Sequence, residues 1–212
     1  YDMYRYNPVN DSWDTISSYP GNAGREAFCI ADSNSAYVGG GQVGTNSTYD
    51  DFWQYLPDSN LWVQKAKIPF GNRANGVSLI SQGKVYMGLG NNGTTLYNDF
   101  WQYLPDSNLW VQKANFPGNA RMSAVYFEIQ GKFIVGAGTG ASSGVTYDDY
   151  YQYDPVLDKW DTLGNFSIAN YSRGAYFSLN NKGYIAGGLS LGNNQKETLE
   201  FSIPSTTSIK KS

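Results

Sequence analysis

Arg25, Arg73, Arg121 and Arg173 occur once in each of four similar segments of the chain. A guanidinium is a permanently charged planar fork that grips a carboxylate with two parallel hydrogen bonds. Four of them around one opening would suit carboxylates or acidic sugars. Tyr49, Tyr97, Tyr147 and Tyr171 lie in the adjoining loops and could stack on a sugar ring or anchor a protein partner. These eight residues are the candidate ligand-binding set. A second reading gives each arginine a structural task, pairing with backbone carbonyls or a neighbouring unit's carboxylate, because a residue present in every unit usually serves every unit.

The carboxylates are less suggestive. Asp51, Asp99 and Asp149 share one register, where an aspartate can accept a backbone N–H at a loop end. Oxygen ligands suit calcium, but no D-x-D-x-D loop occurs, and no metal site is expected. The chain has no histidine and one cysteine, Cys29. That removes His-based triads, histidine-ligated zinc and cysteine-rich metal centres. No cofactor and no catalytic residue are expected. Glu26 beside Arg25 is the one pair that keeps acid–base chemistry open.

The elements that must position these residues form a repeat. "DFWQYLPDSNLWVQKA" runs from Asp51 to Ala66 and again, unchanged, from Asp99 to Ala114. Tyr-x-Pro closes a strand in each unit, a tryptophan follows five residues after the proline (Trp13, Trp62, Trp110, Trp160), the arginine comes next, and a strand then ends in small residues such as "YVGGG" or "YMGLG". The tryptophans are spaced 49, 48 and 50 apart, a period that marks a repeat architecture. Each unit contains four short strands, a to d. Strand a carries the arginine and an apolar run, "QGK" turns into b, a polar loop leads to c, and "LPDSN" turns into d. Aromatic and glycine-rich composition with few charges fits strands and tight turns. The fold class is all-β, a β-propeller of four-stranded antiparallel blades, with residues 1–204 as the propeller and 205–212 as a polar tail.

The glycine-ended strand b, Tyr-x-Pro, the tryptophan five residues on and the arginine beyond it resemble kelch repeats. The wording "NDFWQYLPDSNLWVQKANFPGNAR" (Asn98 to Arg121) is similar to kelch repeats of secreted Bacteroidetes-type proteins. The resemblance implies a kelch-type propeller and says little about function, since propellers host many activities. It implies loop-mediated partner binding, and the lack of histidine excludes the copper-radical chemistry of some related propellers. The glycine pair is intact at Gly39-Gly40 and Gly187-Gly188 but broken by Leu89 and Ala137. The strand count is seventeen, one more than four closed blades need. Either the first c–d pair completes the last a–b pair, or about four blades' worth of chain belong to a larger ring; the second is expected.

Other features have plainer meanings. "GGGQVG" and "GLGNNG" match G-x-G-x-x-G, but neither opens a helix, so no dinucleotide site follows. A net charge of −3 with no basic run disfavours nucleic acid, and no apolar stretch is long enough for membrane insertion. Cys29 in "EAFCIA" is expected to be buried. The repeating tryptophans are expected to pack between blades. Asn-x-Ser/Thr triplets at Asn10, Asn46, Asn92, Asn165 and Asn170 carry no weight in so Asn- and Ser-rich a chain.

Antiparallel order brings the b–c and d–a loops to one end of every blade. The b–c loops vary while the duplicated stretch does not, and variable loops on a rigid scaffold build recognition. The expectation is a non-catalytic, secreted or cell-surface module that contacts another protein or a glycan through that face, within a larger surface assembly. A glycan-binding module is an alternative. A propeller enzyme resembling sialic-acid mutarotases is a second.

Overall fold

A computed structural model describes residues 2–22, 24–44, 47–142, 144–166, 171–190 and 193–203. The 205–212 tail and the triplets at Asn46 and Asn170 lie outside them. Among these residues every regular element is a strand. β1 (Met3–Asn7) and β2 (Ser12–Ile16) form a two-stranded sheet. Then β3 (Phe28–Ala31), β4 (Ala36–Gly39), β7 (Phe52–Leu56) and β8 (Leu61–Gln64) form the first full blade, with β5 (Gln42–Val43) and β6 (Ser47–Thr48) as a small hairpin in its b–c loop. The second blade is β9 (Val77–Ser81), β10 (Lys84–Gly88), β11 (Phe100–Leu104) and β12 (Leu109–Lys113). The third is β13 (Val125–Ile129), β14 (Lys132–Gly136), β15 (Asp149–Asp154) and β16 (Lys159–Asn165). In the fourth unit β17 (Tyr171–Ser172), β20 (Leu189–Ser190) and β21 (Asn193–Asn194) make a minor sheet, and β18 (Ala175–Leu179), β19 (Lys182–Ala186) and β22 (Thr198–Phe201) make strands a, b and c.

The expected strand order a-b-c-d is therefore found, antiparallel throughout, and the blade strands number seventeen among the described residues. β1 and β2 pair only with each other and do not join the β18-β19-β22 sheet, so the four-blade closure by strand completion does not occur there. Strands a of successive blades, β3, β9, β13 and β18, lie side by side, the strands that face the central channel in a propeller.

The core sits between blades. One apolar cluster joins Phe28 and Phe52 of the first blade to Val85 and Tyr103 of the second. A second joins Phe100 to Phe133 and Tyr153, and a third joins Phe127 and Tyr150 to Ile185 and Phe201. Each sheet alone would leave these faces in water; stacking buries them.

The duplicated stretch builds the joint. Asn60, Asn108 and Asp158 in the c–d turns have left-handed φ of 53°, 54° and 51°, a region that Asn and Asp tolerate. Each side-chain oxygen accepts the strand-c tyrosine hydroxyl of its own blade, from Tyr55, Tyr103 and Tyr153. The same oxygen accepts a backbone N–H from the preceding unit: Ser17 at 2.8 Å, Ala66 at 2.8 Å and Ala114 at 2.9 Å. The carbonyls of those same three residues accept Trp62, Trp110 and Trp160 Nε1 at 3.0, 3.0 and 2.8 Å. One residue per unit is thus held at both backbone groups by the next blade. Trp110 also packs on Phe52, and Trp160 on Phe100, at 5.0 and 5.2 Å, as inter-blade tryptophans should. Trp13 differs: it rests on Tyr6 alone and is 67% exposed.

Candidate functional site at the channel mouth

The four arginines do not form a ring. Arg73 and Arg121 stand four residues before strand a of their blades, and both are sealed, at 1% and 0% exposure. Arg121 grips Asp149 through two hydrogen bonds of 2.6 and 2.9 Å and donates to the Ala137 and Asn119 carbonyls. Arg73 pairs with Asp99 and donates to the carbonyls of Phe70 and Leu89. Aromatic rings lie against each guanidinium: Phe70 and Tyr97 for Arg73, Phe116 and Tyr147 for Arg121, with centroids 3.8 to 4.8 Å away. These are clasps that tie the d–a loop to strands b and c, the structural reading of the repeat. The carboxylate belongs to the same blade, not to a neighbour. Burial alone would raise Asp149, but the hydrogen bonds and charge of Arg121, with the Tyr151 hydroxyl, outweigh it and hold the carboxyl below its usual range.

Arg25 and Arg173 fall out of this register. Arg25 stands three residues before Phe28, one place too close, and Gly24 holds the clasp position. The backbone shows the shift: Arg25 exchanges bonds of 3.1 and 2.9 Å with Gln42, as Ala74 does with Asn91 and Met122 with Thr139, and Gly24 N shares the Gln42 carbonyl at 3.2 Å. Arg25 is exposed and donates to the Gly44 carbonyl at 2.7 Å. Arg173 stands two residues before Ala175. The clasp position of its unit belongs to Tyr171, whose carbonyl accepts Gly138 N just as the carbonyls of Arg73 and Arg121 accept Gly41 N and Gly90 N. Tyr171 is accordingly buried. Tyr49 is half-buried in the first b–c loop, and Tyr97 and Tyr147 serve as floors for the clasps.

The residues that do converge are those two positions before each strand a: Glu26, Asn75, Ser123 and Arg173. All four have left-handed φ, between 53° and 59°. A backbone chain links three of them from blade to blade, Asn75 N to Glu26 O at 3.0 Å and Ser123 N to Asn75 O at 2.9 Å. The four line one opening of about 390 Å³ together with Tyr126, Gly174 and Tyr176. Asn75 Nδ2 donates to Glu26 Oε2 at 2.7 Å, and Gln42 Nε2 donates to the same oxygen. This leaves Glu26 exposed and oriented, with an exposed guanidinium across the mouth.

One step into the channel, Cys29, Ser78, Tyr126 and Tyr176 share a register on strands a. The rings of Tyr126 and Tyr176 meet edge to face at 5.8 Å. Burial pushes both hydroxyls up, Tyr176 to about 12, so each is a neutral hydrogen-bond donor near neutral pH. Cys29, expected in the core, is instead exposed, because strand a lines the channel and its alternate side chains leave the inter-blade core. Glu26 and Arg173 were in view from the sequence, but not as partners. Asn75, Ser123, Tyr126 and Tyr176 were missed; their common distance from strand a was the available signal.

No family model matches the sequence, and no curated protein matches it. The fold is similar to the structure of YjhT, with a TM-score of 0.71 and 21% identity over 84% of this chain. The chain spans 63% of the length of that structure. The likeness carries the fold, an all-β propeller of blade-like sheets. It also corrects the expectation of a module without catalysis: YjhT is a propeller of the sialic-acid mutarotase type, so the scaffold this chain resembles belongs to an enzyme.

Proposed function

We propose that the channel mouth binds an acidic sugar and opens and recloses its ring, interconverting anomers. What carries this reading is the placement of Glu26 and Arg173 at one opening of about 390 Å³ with two neutral tyrosine hydroxyls below. The Arg173 fork takes the sugar carboxylate. Glu26, positioned by Asn75 and Gln42, takes the proton from the anomeric hydroxyl. The ring C–O bond breaks as the carbonyl forms, and the proton returns to the ring oxygen. Reclosure on the other face reverses these steps, with no net gain or loss of protons or electrons. The likeness to YjhT supports this choice over other chemistry of a carboxylate–guanidinium pair.

The test is anomer exchange of sialic acid followed by NMR. The protein should accelerate exchange above buffer. Glu26→Gln should remove about 10²–10⁴-fold of that acceleration, whereas Arg173→Ala should act mainly by raising KM. No rate above buffer from the unaltered protein ends the proposal. Saturable binding on a glycan array without a rate would leave a glycan-binding module. The kelch assignment and a secreted or cell-surface location belong to this same reading; the repeat wording supports them, and fractionation of the source cells tests the location.

A further inference from the structure

Asp51 is the counterpart of Asp99 and Asp149: each has its carbonyl bonded by the residue that ends strand b, Gly40, Leu89 and Ala137 in turn. In the second and third blades Oδ1 of this aspartate receives the guanidinium. In the first blade it receives nothing. Asp51 is 6% exposed, its Oδ2 accepts Asn22 N at 3.1 Å and Trp53 Nε1 at 3.0 Å, and its Oδ1 is buried without a partner. Gly24 stands at the arginine's place, and Arg25, one residue on, reaches the Gly44 carbonyl instead. Tyr19, 8% exposed, stands where the third blade has Phe116, and its hydroxyl is likewise buried and unpartnered. A Cβ on Gly21 would meet both the Tyr19 hydroxyl and Asp51 Oδ2, at 2.2 and 2.5 Å, so the hydroxyl and the carboxylate both pack against Gly21.

We propose that a monovalent metal cation occupies the guanidinium position beside Asp51. A buried carboxylate without a countercharge is costly, and its two counterparts are both neutralised. The available donors are oxygens: Asp51 Oδ1, the Tyr19 hydroxyl, and the carbonyls of Gly40 and Asn22 at the positions whose counterparts accept arginine in the other blades. Hard oxygen donors suit an alkali or alkaline-earth ion, and a single negative charge favours sodium or potassium over calcium, which gathers more carboxylates.

The test compares melting in sodium, potassium and tetramethylammonium chloride at equal ionic strength. Sodium or potassium should raise Tm by about 5 °C over tetramethylammonium, and Asp51→Asn should abolish the difference. Should that variant fail to fold, Gly24→Arg combined with Tyr19→Phe places an arginine at the clasp position; this protein should melt alike in all three salts. Equal melting of the unaltered protein in all three salts overturns the proposal. So does a cation response that survives Gly24→Arg with Tyr19→Phe.

Discussion

The second and third blades close their d–a loops with a buried arginine, whereas the first and fourth do not, although all four carry an arginine within two residues of the same place. A glycine takes the clasp position in the first unit and a tyrosine in the fourth. Residue type alone therefore does not set the role. Distance from the first strand residue does, because strand pairing fixes which side chain points into the blade and which reaches the channel mouth.

The largest break in this contrast should come from Arg121→Ala. It strands Asp149 among buried groups and should lower unfolding free energy by about 3 kcal/mol in denaturant titration. A pH series sharpens the same point. Asp149 is depressed in the folded state, so its contribution is present above the unfolded carboxylate value and fades as pH falls through the folded one. Acid titration of Asp149→Asn should lack that part of the loss. Smaller, at about 2 kcal/mol, should be Asn108→Ala, which orphans Ala66 N and the Tyr103 hydroxyl and places alanine at positive φ. Asn60→Ala in the other copy should match it, and unequal losses would show that the two joints are not equivalent. Arg25→Ala should be the mildest, under about 0.5 kcal/mol, since that side chain is exposed and makes one carbonyl contact.

Much of the fold was legible because the strand boundaries repeat with the tryptophans and prolines, and period-2 patterning fixes blade faces. The role of the duplicated stretch was half legible: its tryptophan spoke for packing, but the left-handed asparagine that reaches the previous unit needs three dimensions. The site was harder. Aligning arginines by identity hid a shift of one residue at Arg25 and of two at Arg173. Asn75 and Ser123 carry no chemical signature, and only their shared φ and blade-to-blade bonding set them at the mouth. Cys29 was misplaced because an apolar run around a channel-lining strand looks like one around a core strand.

The two identical sixteen-residue copies make the same tryptophan and asparagine bonds to the preceding unit. A recombination event that fused the first copy to the second would excise a whole period and leave no altered residue at the scar. Such an architecture can lengthen or shorten by complete units in single genetic steps, keeping every seam watertight while it trades away one rim loop at a time.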